Sequence, residues 1–143
     1  EFYRYAADRI RRNHSTNVKM VHGDATEFLR YWCEDNVTDV LHLYFSDPWP
    51  KTRHHKRRVI QDATLETFHR VLKPGGILHV VTDHEVLWEW CCEHFARNTH
   101  LFTMSPFSSS PSAGEGELVG TNFERKYRTE GRPFHATTLK RVT

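Results

Sequence analysis

A single acid followed by a dense basic run is the part of the sequence best suited to chemistry. Asp47-Pro48-Trp49-Pro50 follows an apolar run, and the basic residues come next: Lys51, Arg53, Lys56, Arg57 and Arg58. No acid lies among them. Cationic side chains in a row neutralise phosphates, and a nearby carboxylate can orient a base. The pattern predicts chemistry on nucleic acid.

The positive charge of the chain is concentrated in this run. The sequence has 20 Lys and Arg residues against 18 Asp and Glu residues, a net charge of +2. Without the five basic residues of the run the net charge would be −3. His54 and His55 add charge below neutral pH. A solvated helix start is the alternative explanation, and the adjacent Asp47 favours a functional one.

Length and composition indicate one globular domain. The 143 residues are 38% hydrophobic and 13% aromatic, which suits a domain with its own core. No apolar run approaches the roughly 20 residues of a membrane span, and the start does not resemble a signal peptide, so we expect a cytoplasmic setting. Cys33, Cys91 and Cys92 lack the spacing of a disulfide framework or a zinc module, and we expect no metal site.

Helical and strand patterns alternate along the chain. Helices are predicted over 3–13 and 26–34, and on the stripes Leu65, Phe68, Leu72 and Leu87, Trp90, Cys91, Phe95. Strands are predicted over 17–21, 40–45, 77–82, 101–104 and 134–142. Residues 105–117 are rich in Ser, Pro and Gly and predict a flexible loop. The order predicts an α/β fold, a doubly wound sheet with an antiparallel hairpin at one edge.

Acids follow three of the predicted strands. Asp24, Asp47 and Asp83 stand at the carboxyl ends, where open α/β sheets bind their ligands. A helix N-cap is the alternative role for each one, because Asp accepts hydrogen bonds from free amides there. Pro48 keeps Asp47 extended at the strand end. We expect these acids to face the ligand-binding edge.

Together these motifs resemble the bacterial tRNA (guanine-N7)-methyltransferases, which use S-adenosylmethionine. The matching segments are Gly23-Asp24-Ala25, Phe45-Ser46-Asp47-Pro48-Trp49-Pro50-Lys51, Arg53-His54 with Lys56-Arg57-Arg58, Leu72-Lys73-Pro74-Gly75-Gly76, Thr82-Asp83 and Thr121-Asn122-Phe123-Glu124. The resemblance implies a Rossmann-like class I S-adenosylmethionine-dependent methyltransferase fold. It also implies that the partner is tRNA, methylated on a guanine in the variable loop.

The resemblance assigns roles to individual residues. Asp47 is implied to be catalytic and to contact the cofactor, and Asp24 to bind its adenosine side. Substrate contacts are implied for Lys51, Asp83, Thr121, Asn122, Phe123 and Glu124, and RNA contacts for Arg53, His54, His55, Lys56, Arg57 and Arg58. Trp49 either braces its loop, which we favour, or stacks on the base. A second basic cluster is either a solvated turn or a further RNA contact: Arg125, Lys126, Arg128 and Arg132.

Members of that family normally begin with a basic segment, a first strand with a glycine-rich turn and a second strand ending in an acid. Gly114-Glu115-Gly116 lies in the serine-rich loop without a preceding strand, so it is not that turn. The resemblance therefore implies that residues 1–143 correspond to roughly the C-terminal two thirds of one methyltransferase domain, with the first strands missing. We expect such a fragment to be unstable, to associate with itself or to belong to a longer native chain.

Two other classes of function remain open from the sequence. A metal-dependent phosphodiesterase would use Asp47 and Asp83 as metal ligands beside a basic groove. A non-catalytic RNA-binding module would use the basic run alone.

Overall fold

The computed structural model describes residues 2–109, 111 and 113–143. Within them the chain forms five α-helices, a short 3-10 helix and four strands. In chain order these are α1 (Phe2–Arg12), α2 (Ala25–Trp32), β1 (Thr38–Tyr44), the 3-10 helix (Thr52–Arg57), α3 (Asp62–Val71), β2 (Leu72–Thr82), α4 (Glu85–Arg97), β3 (Phe102–Pro106), α5 (Asn122–Thr129) and β4 (His135–Arg141).

The four strands form one mixed sheet in the order β1-β2-β4-β3. β1 runs parallel to β2, whereas β4 pairs antiparallel with both β2 and β3. The helix between the parallel strands, α3, supplies the long crossover that parallel pairing requires. This arrangement confirms the predicted α/β sheet with an antiparallel hairpin at one edge.

The core lies where α3 and α4 pack against the sheet. Leu65 and Phe68 of α3 and Leu87, Cys91 and Phe95 of α4 are buried, as their helical spacing predicted. They meet side chains that alternate along the strands, including Leu78, Val80 and Leu139. Burying each large aliphatic side chain contributes about 1.5–3 kcal/mol, so this shared core holds both helices on the sheet.

A polar network joins α3 to α4 beside this core. The Asp62 carboxylate accepts hydrogen bonds of 2.7 Å from His94 Nδ1 and 2.7 Å from Asn98 Nδ2. The bond from His94 and then that from Asn98 hold the pKa of Asp62 below its ordinary value. The start of α3 is therefore fixed to the last turns of α4.

The Lys73-Pro74-Gly75-Gly76 breaker lies inside β2 rather than before it. The ladder passes from the pair Thr38 and Leu72 to the pair Val40 and Ile77, so residues 73–76 bulge outward. Gly76 fits this bulge because a Cβ there would approach the carbonyl oxygens of Lys73 and Asp39 at 2.9 and 3.0 Å. Helix α3 ends at Val71, just before the breaker, so Leu72 of the predicted helical stripe is instead the first residue of β2.

Two sequence predictions of local structure were wrong, and one helix was not predicted. Residues 17–21 form no strand, since the only described strand paired with β1 is β2 and a strand needs a ladder partner. The predicted loop 105–117 starts inside β3, where Ser105 and Pro106 pair with β4. Residues 122–129 form α5, which the hydrophobic pattern did not indicate. Ser110 and Ser112 of the predicted loop lie outside the described residues.

Large apolar side chains of α1 and α2 remain at the surface, with Phe2 87%, Tyr31 68% and Trp32 79% exposed. Self-association of the chain stays a prediction. The helices described here include none that is both long and apolar enough to cross a membrane.

Candidate functional site

Asp47 lies at the carboxyl end of β1, on a short turn that begins at Phe45. The Phe45 amide donates to the Val81 carbonyl at 2.8 Å, and Phe45 then takes a left-handed backbone conformation with φ of 53°. Such a conformation is rare for an aromatic residue and occurs where surrounding packing fixes it. The Phe45 ring contacts those of Phe123 and Phe134 at 4.7 and 5.9 Å between centroids. The turn leaves Asp47 exposed beyond the sheet.

Asp24 is the N-cap of α2, the alternative role considered from the sequence. Its Oδ1 accepts from the Thr26 amide at 2.8 Å, the Thr26 hydroxyl at 2.6 Å and the Glu27 amide at 3.2 Å. The Thr26 hydroxyl and then the two amides hold the pKa of Asp24 below its ordinary value. All three donors bind one oxygen, so the cap leaves Oδ2 available to a ligand.

A groove of about 860 Å³ brings these two acids together. Asp24 and Asp47 line it, with leucines from α2 and β1 on its floor and Lys56 and Arg57 at its margin. The expected convergence of acids therefore holds for this pair. Asp83 does not line this groove. Its Oδ2 forms a 2.9 Å salt bridge with Arg132 Nη1.

The first basic run forms the 3-10 helix and carries free cations. Lys51, Arg53, Lys56 and Arg57 are exposed, and none has an acidic partner within the part of the chain that the structure describes. The Arg57 guanidinium lies 5.0 Å from the centroid of the Trp49 ring. The His54 ring contacts the same Trp49 ring edge-on, with 5.7 Å between the ring centroids. These contacts favour the bracing role for Trp49.

Arg58 differs from its neighbours because it is buried, with 2% of its surface exposed. Its Nε donates to the Pro48 carbonyl at 2.9 Å, and its guanidinium stacks over Trp90 at 5.0 Å. Burial lowers the pKa of the guanidinium. The expected RNA contact does not match this placement, since Arg58 lies beneath the turn of Asp47.

The arginines of the second basic cluster are paired with acids. Arg125 Nε contacts Glu117 Oε1 at 2.6 Å, Arg128 Nη2 contacts Glu124 Oε1 at 2.6 Å, and Arg132 contacts Asp83. The hydrogen bond from Arg125 is the main reason that the pKa of Glu117 is lowered to about 2. Pairing reduces the charge available to phosphates, which favours the structural alternative for this cluster.

Thr121-Asn122-Phe123-Glu124 forms the start of α5. Thr121 is the N-cap, with its hydroxyl accepting from the Glu124 amide at 3.1 Å. Asn122 and Phe123 are exposed, whereas Glu124 is fully buried. The expected contact of the Glu124 carboxylate with a guanine edge does not match this burial. A Thr followed three residues later by Glu is a capping-box signal, and it could have revealed α5 from the sequence.

Comparisons with known proteins find similarity to methyltransferases. A family model described as "Putative methyltransferase" matches residues 1–137. A tRNA (guanine-N(7)-)-methyltransferase of Corynebacterium glutamicum is 50% identical over 111 residues, covering 77% of this chain and 43% of the relative. One of Treponema pallidum (strain Nichols) is 36% identical over 139 residues, covering 94% of this chain and 53% of the relative. The chain spans about half the length of the curated relatives it matches.

Solved structures show the same fold. A tRNA (m1A58) methyltransferase from Aquifex aeolicus has a TM-score of 0.57 at 12% identity, covering 99% of this chain and 50% of that one. A methyltransferase homolog from Pyrococcus horikoshii has a TM-score of 0.61 at 18% identity, covering 97% of this chain and 50% of that one. The mixed sheet is therefore a Rossmann-like methyltransferase fold. Since the family model matches 137 of its 143 residues, the chain belongs to this methyltransferase family, whose members similar to it include tRNA (guanine-N(7)-)-methyltransferases.

Proposed function

We propose that this chain forms the catalytic and tRNA-binding part of a tRNA (guanine-N7)-methyltransferase. The observation that carries the proposal is the groove shared by Asp24 and Asp47, which adjoins the unpaired cations of the 3-10 helix. The names of the sequence relatives support the same reaction. A tRNA substrate implies a cytoplasmic place of action.

The groove suits S-adenosylmethionine as cofactor. Leu29, Leu41 and Leu43 offer an apolar surface for a flat adenine ring. The Asp24 Oδ2, left open by the N-cap hydrogen bonds, is an acceptor for ribose or adenine donors. The carboxylate of Asp47 is complementary to the positive charge of a sulfonium or an ammonium group. We therefore assign Asp24 and Asp47 to cofactor binding.

Methylation of guanine N7 requires little acid–base chemistry from the protein. S-adenosylmethionine supplies a methyl group on a positively charged sulfur. The N7 lone pair forms the new N–C bond while the electron pair of the C–S bond passes to sulfur, and no proton must be removed. Catalysis then depends on holding N7 in line, and such positioning can lower a barrier by on the order of 7 kcal/mol.

Asp47 is the residue we assign to this positioning. It is exposed at the end of β1, and none of the described hydrogen bonds occupies its carboxylate. Two carboxylate oxygens can accept from the N1 and N2 donors of guanine, a pair that adenine does not present. Asp47 therefore both holds the base and selects guanine.

The exposed cations of the 3-10 helix and of its N-cap, Lys51, supply the tRNA-binding surface. Lys51, Arg53, Lys56 and Arg57 suit phosphate oxygens, and no acid among residues 2–109, 111 and 113–143 neutralises their charge. Aligned along one short segment, they place the phosphate backbone next to the groove.

Methyl transfer from labelled S-adenosylmethionine to unmodified tRNA tests the proposal. The 143-residue chain is assayed beside the complete gene product, and the methylated position is mapped. We expect 7-methylguanine with the complete gene product and none with the Asp47→Ala variant. Product at another position, or no transfer in either form, would contradict the proposal.

The two alternative functions have no observation in their favour. Among residues 2–109, 111 and 113–143 no group of three His, Cys, Asp or Glu side chains could hold a metal ion. A phosphodiesterase would lose its activity with a chelator and ignore S-adenosylmethionine. A binding module would bind tRNA tightly without binding the cofactor.

A further inference from the structure

Arg70, in the last turn of α3, donates hydrogen bonds to the end of a neighbouring helix. Its Nη2 donates to the Leu29 carbonyl at 2.7 Å and to the Arg30 carbonyl at 3.3 Å. Its Nη1 donates to the Cys33 carbonyl at 2.8 Å and to Asp35 Oδ1 at 2.7 Å. Three of these four acceptors are backbone carbonyls at the C-terminal end of α2. We call the three hydrogen bonds to them the Arg70 cap.

The Arg70 cap satisfies groups that a helix leaves unpaired at its end. The last carbonyls of a helix lack donors within it, and they carry the negative end of the helix dipole. The chain leaves α2 extended at Cys33, with φ of −98° and ψ of 133°, so α2 does not end in a left-handed capping turn. A guanidinium suits these carbonyls because it is always charged and presents several donors in one plane. Arg70 therefore caps α2 from a different helix.

Apolar packing holds α2 only weakly. None of its eight residues is buried, and Tyr31 and Trp32 are 68% and 79% exposed. Leu29 is partly buried against the core. Helices in proteins are stabilised mainly by packing of an apolar face, and α2 has little of it. The Arg70 cap is therefore a principal contact that sets the position of α2 on α3.

The other end of α2 forms part of the groove. Asp24, the N-cap of α2, lines the groove together with Leu29. A helix of eight residues spans on the order of 12 Å, so a tilt at the capped end would displace the Asp24 carboxylate. Asp47 would stay in place, because its turn is attached to β2 rather than to α2. The Arg70 cap thus controls the separation of the two acids.

We propose that Arg70 is a positioning residue for cofactor binding, which holds Asp24 at the correct distance from Asp47 by capping the opposite end of α2. This inference rests on the proposed function, since it concerns the affinity for S-adenosylmethionine. Arg70 does not line the groove, so its effect passes through α2. The loop of the exposed cations is closed by the Arg58 bond to Pro48, so tRNA contacts should not depend on the cap.

Binding of S-adenosylhomocysteine to the complete protein, measured by calorimetry without tRNA, tests the role directly. We expect Arg70→Met to weaken the Kd about tenfold. Asp35→Asn should leave the Kd within twofold, because it weakens only the bond to an exposed carboxylate and keeps the three carbonyl bonds. Lys73→Met is the matched control, since it breaks an ion pair of similar exposure just after α3. An unchanged Kd in Arg70→Met, or an equal loss in Asp35→Asn, would overturn the proposal.

Amide hydrogen exchange shows whether α2 is the element that moves. We expect the amides of residues 28–32 to lose at least tenfold protection in Arg70→Met, while those of β2 and α4 keep theirs. If Arg70→Met does not fold, Arg70→Lys takes its place, because one ammonium nitrogen replaces the two guanidinium nitrogens that reach Leu29 and Cys33. Unchanged protection of α2 in the folded variant would contradict the proposal.

Steady-state kinetics separate positioning from a loss of folded protein. Positioning predicts that Arg70→Met raises the KM for S-adenosylmethionine about tenfold, with kcat and the KM for tRNA changed less than threefold. A lower kcat with both KM values unchanged would show only that less protein is active, and it would count against positioning.

The two proposals fail differently. A wild-type protein that binds S-adenosylhomocysteine but methylates no tRNA would overturn the proposed reaction, while calorimetry would still decide the role of Arg70. A wild-type protein that does not bind S-adenosylhomocysteine would overturn the cofactor assignment and the role of Arg70 together.

Discussion

Asp83 at the end of β2 and Arg132 after α5 form a salt bridge of 2.9 Å that joins two distant parts of the chain. The Arg132 guanidinium also lies 3.6 Å from the centroid of the Tyr127 ring, so α5 holds the arginine that holds Asp83. This bridge supports α5 at its C-terminal end, opposite the turn 118–120.

Replacing Arg132 with Met should release Asp83 with little loss of stability. The arginine side chain is 43% exposed, and an ion pair this open to solvent contributes little to stability. We expect a lower Tm by only a few degrees, together with a KM for tRNA raised several-fold. Thermal melts and methyl-transfer kinetics measure the two effects. Arg132→Lys, which keeps the charge, should recover most of the KM; if it does not, the charge of Arg132 is not what places Asp83.

Asp47→Asn should abolish most methyl transfer without unfolding the protein. The change keeps the size of an exposed side chain but puts a donor where guanine also presents donors, so kcat should fall by about two orders of magnitude. The Tm should stay within about a degree, because no described contact is lost. Asp39→Asn is the control: Asp39 is an exposed acid of β1 paired with Lys73, and its loss should leave kcat unchanged.

Salt dependence of tRNA binding should separate the two basic clusters. Each phosphate contact removed lowers the slope of log K against log salt by about 1. We expect Arg57→Gln to lower that slope and weaken binding to every tRNA alike. Arg125→Gln should leave it unchanged, because Glu117 already neutralises Arg125. A slope lowered equally by both variants would instead indicate that RNA contacts both clusters.

The free energy of unfolding should fall at acidic pH, in part because Glu124 becomes protonated. Burial raises the pKa of Glu124, but the amides of residues 118–120 and Arg128 outweigh it, so the folded pKa lies below the ordinary value of 4.5. The stabilisation is complete above the unfolded pKa and is lost as pH falls through the lower, folded one. Thermal melts from pH 7 to pH 2.5 should therefore show the wild type losing its advantage over Glu124→Gln. A constant difference between the two would contradict this origin.

The elements best predicted from the sequence are those that pack one face against the hydrophobic core. Leu87, Cys91 and Phe95 recur at helical spacing because α4 presents one face to the sheet. β2 shows as an apolar run because it lies inside the sheet, whereas β1, equally apolar in sequence, lies at the edge of the described sheet with no residue buried. Asp47 was placed at the groove because it follows a strand, β1, whereas Asp24 reaches the same groove as the N-cap of α2 and not at the end of a strand.

The features that the sequence did not predict depend on contacts with residues that are distant along the chain. The segment 17–21 has strand composition, yet without a paired neighbour it forms none. Helix α5 has eight residues with only Phe123 and Tyr127 as aromatic or apolar side chains, and the pair Thr121 and Glu124 indicates its start. The burial of Arg58 could not be read from a run of basic residues, because Pro48 and Trp90, its partners, lie ten and thirty-two positions away.

Arg58 has a consequence for how such a protein can evolve. Its hydrogen bond to Pro48 closes residues 48–58 into a ring that contains Trp49 and the exposed cations, with Asp47 attached at its start. A substitution of Arg58 would loosen this ring and disturb the acid and the cations at once, whereas substitutions of the exposed cations leave the closing hydrogen bond in place. A lineage could therefore vary its surface charge while keeping the bond that holds the loop.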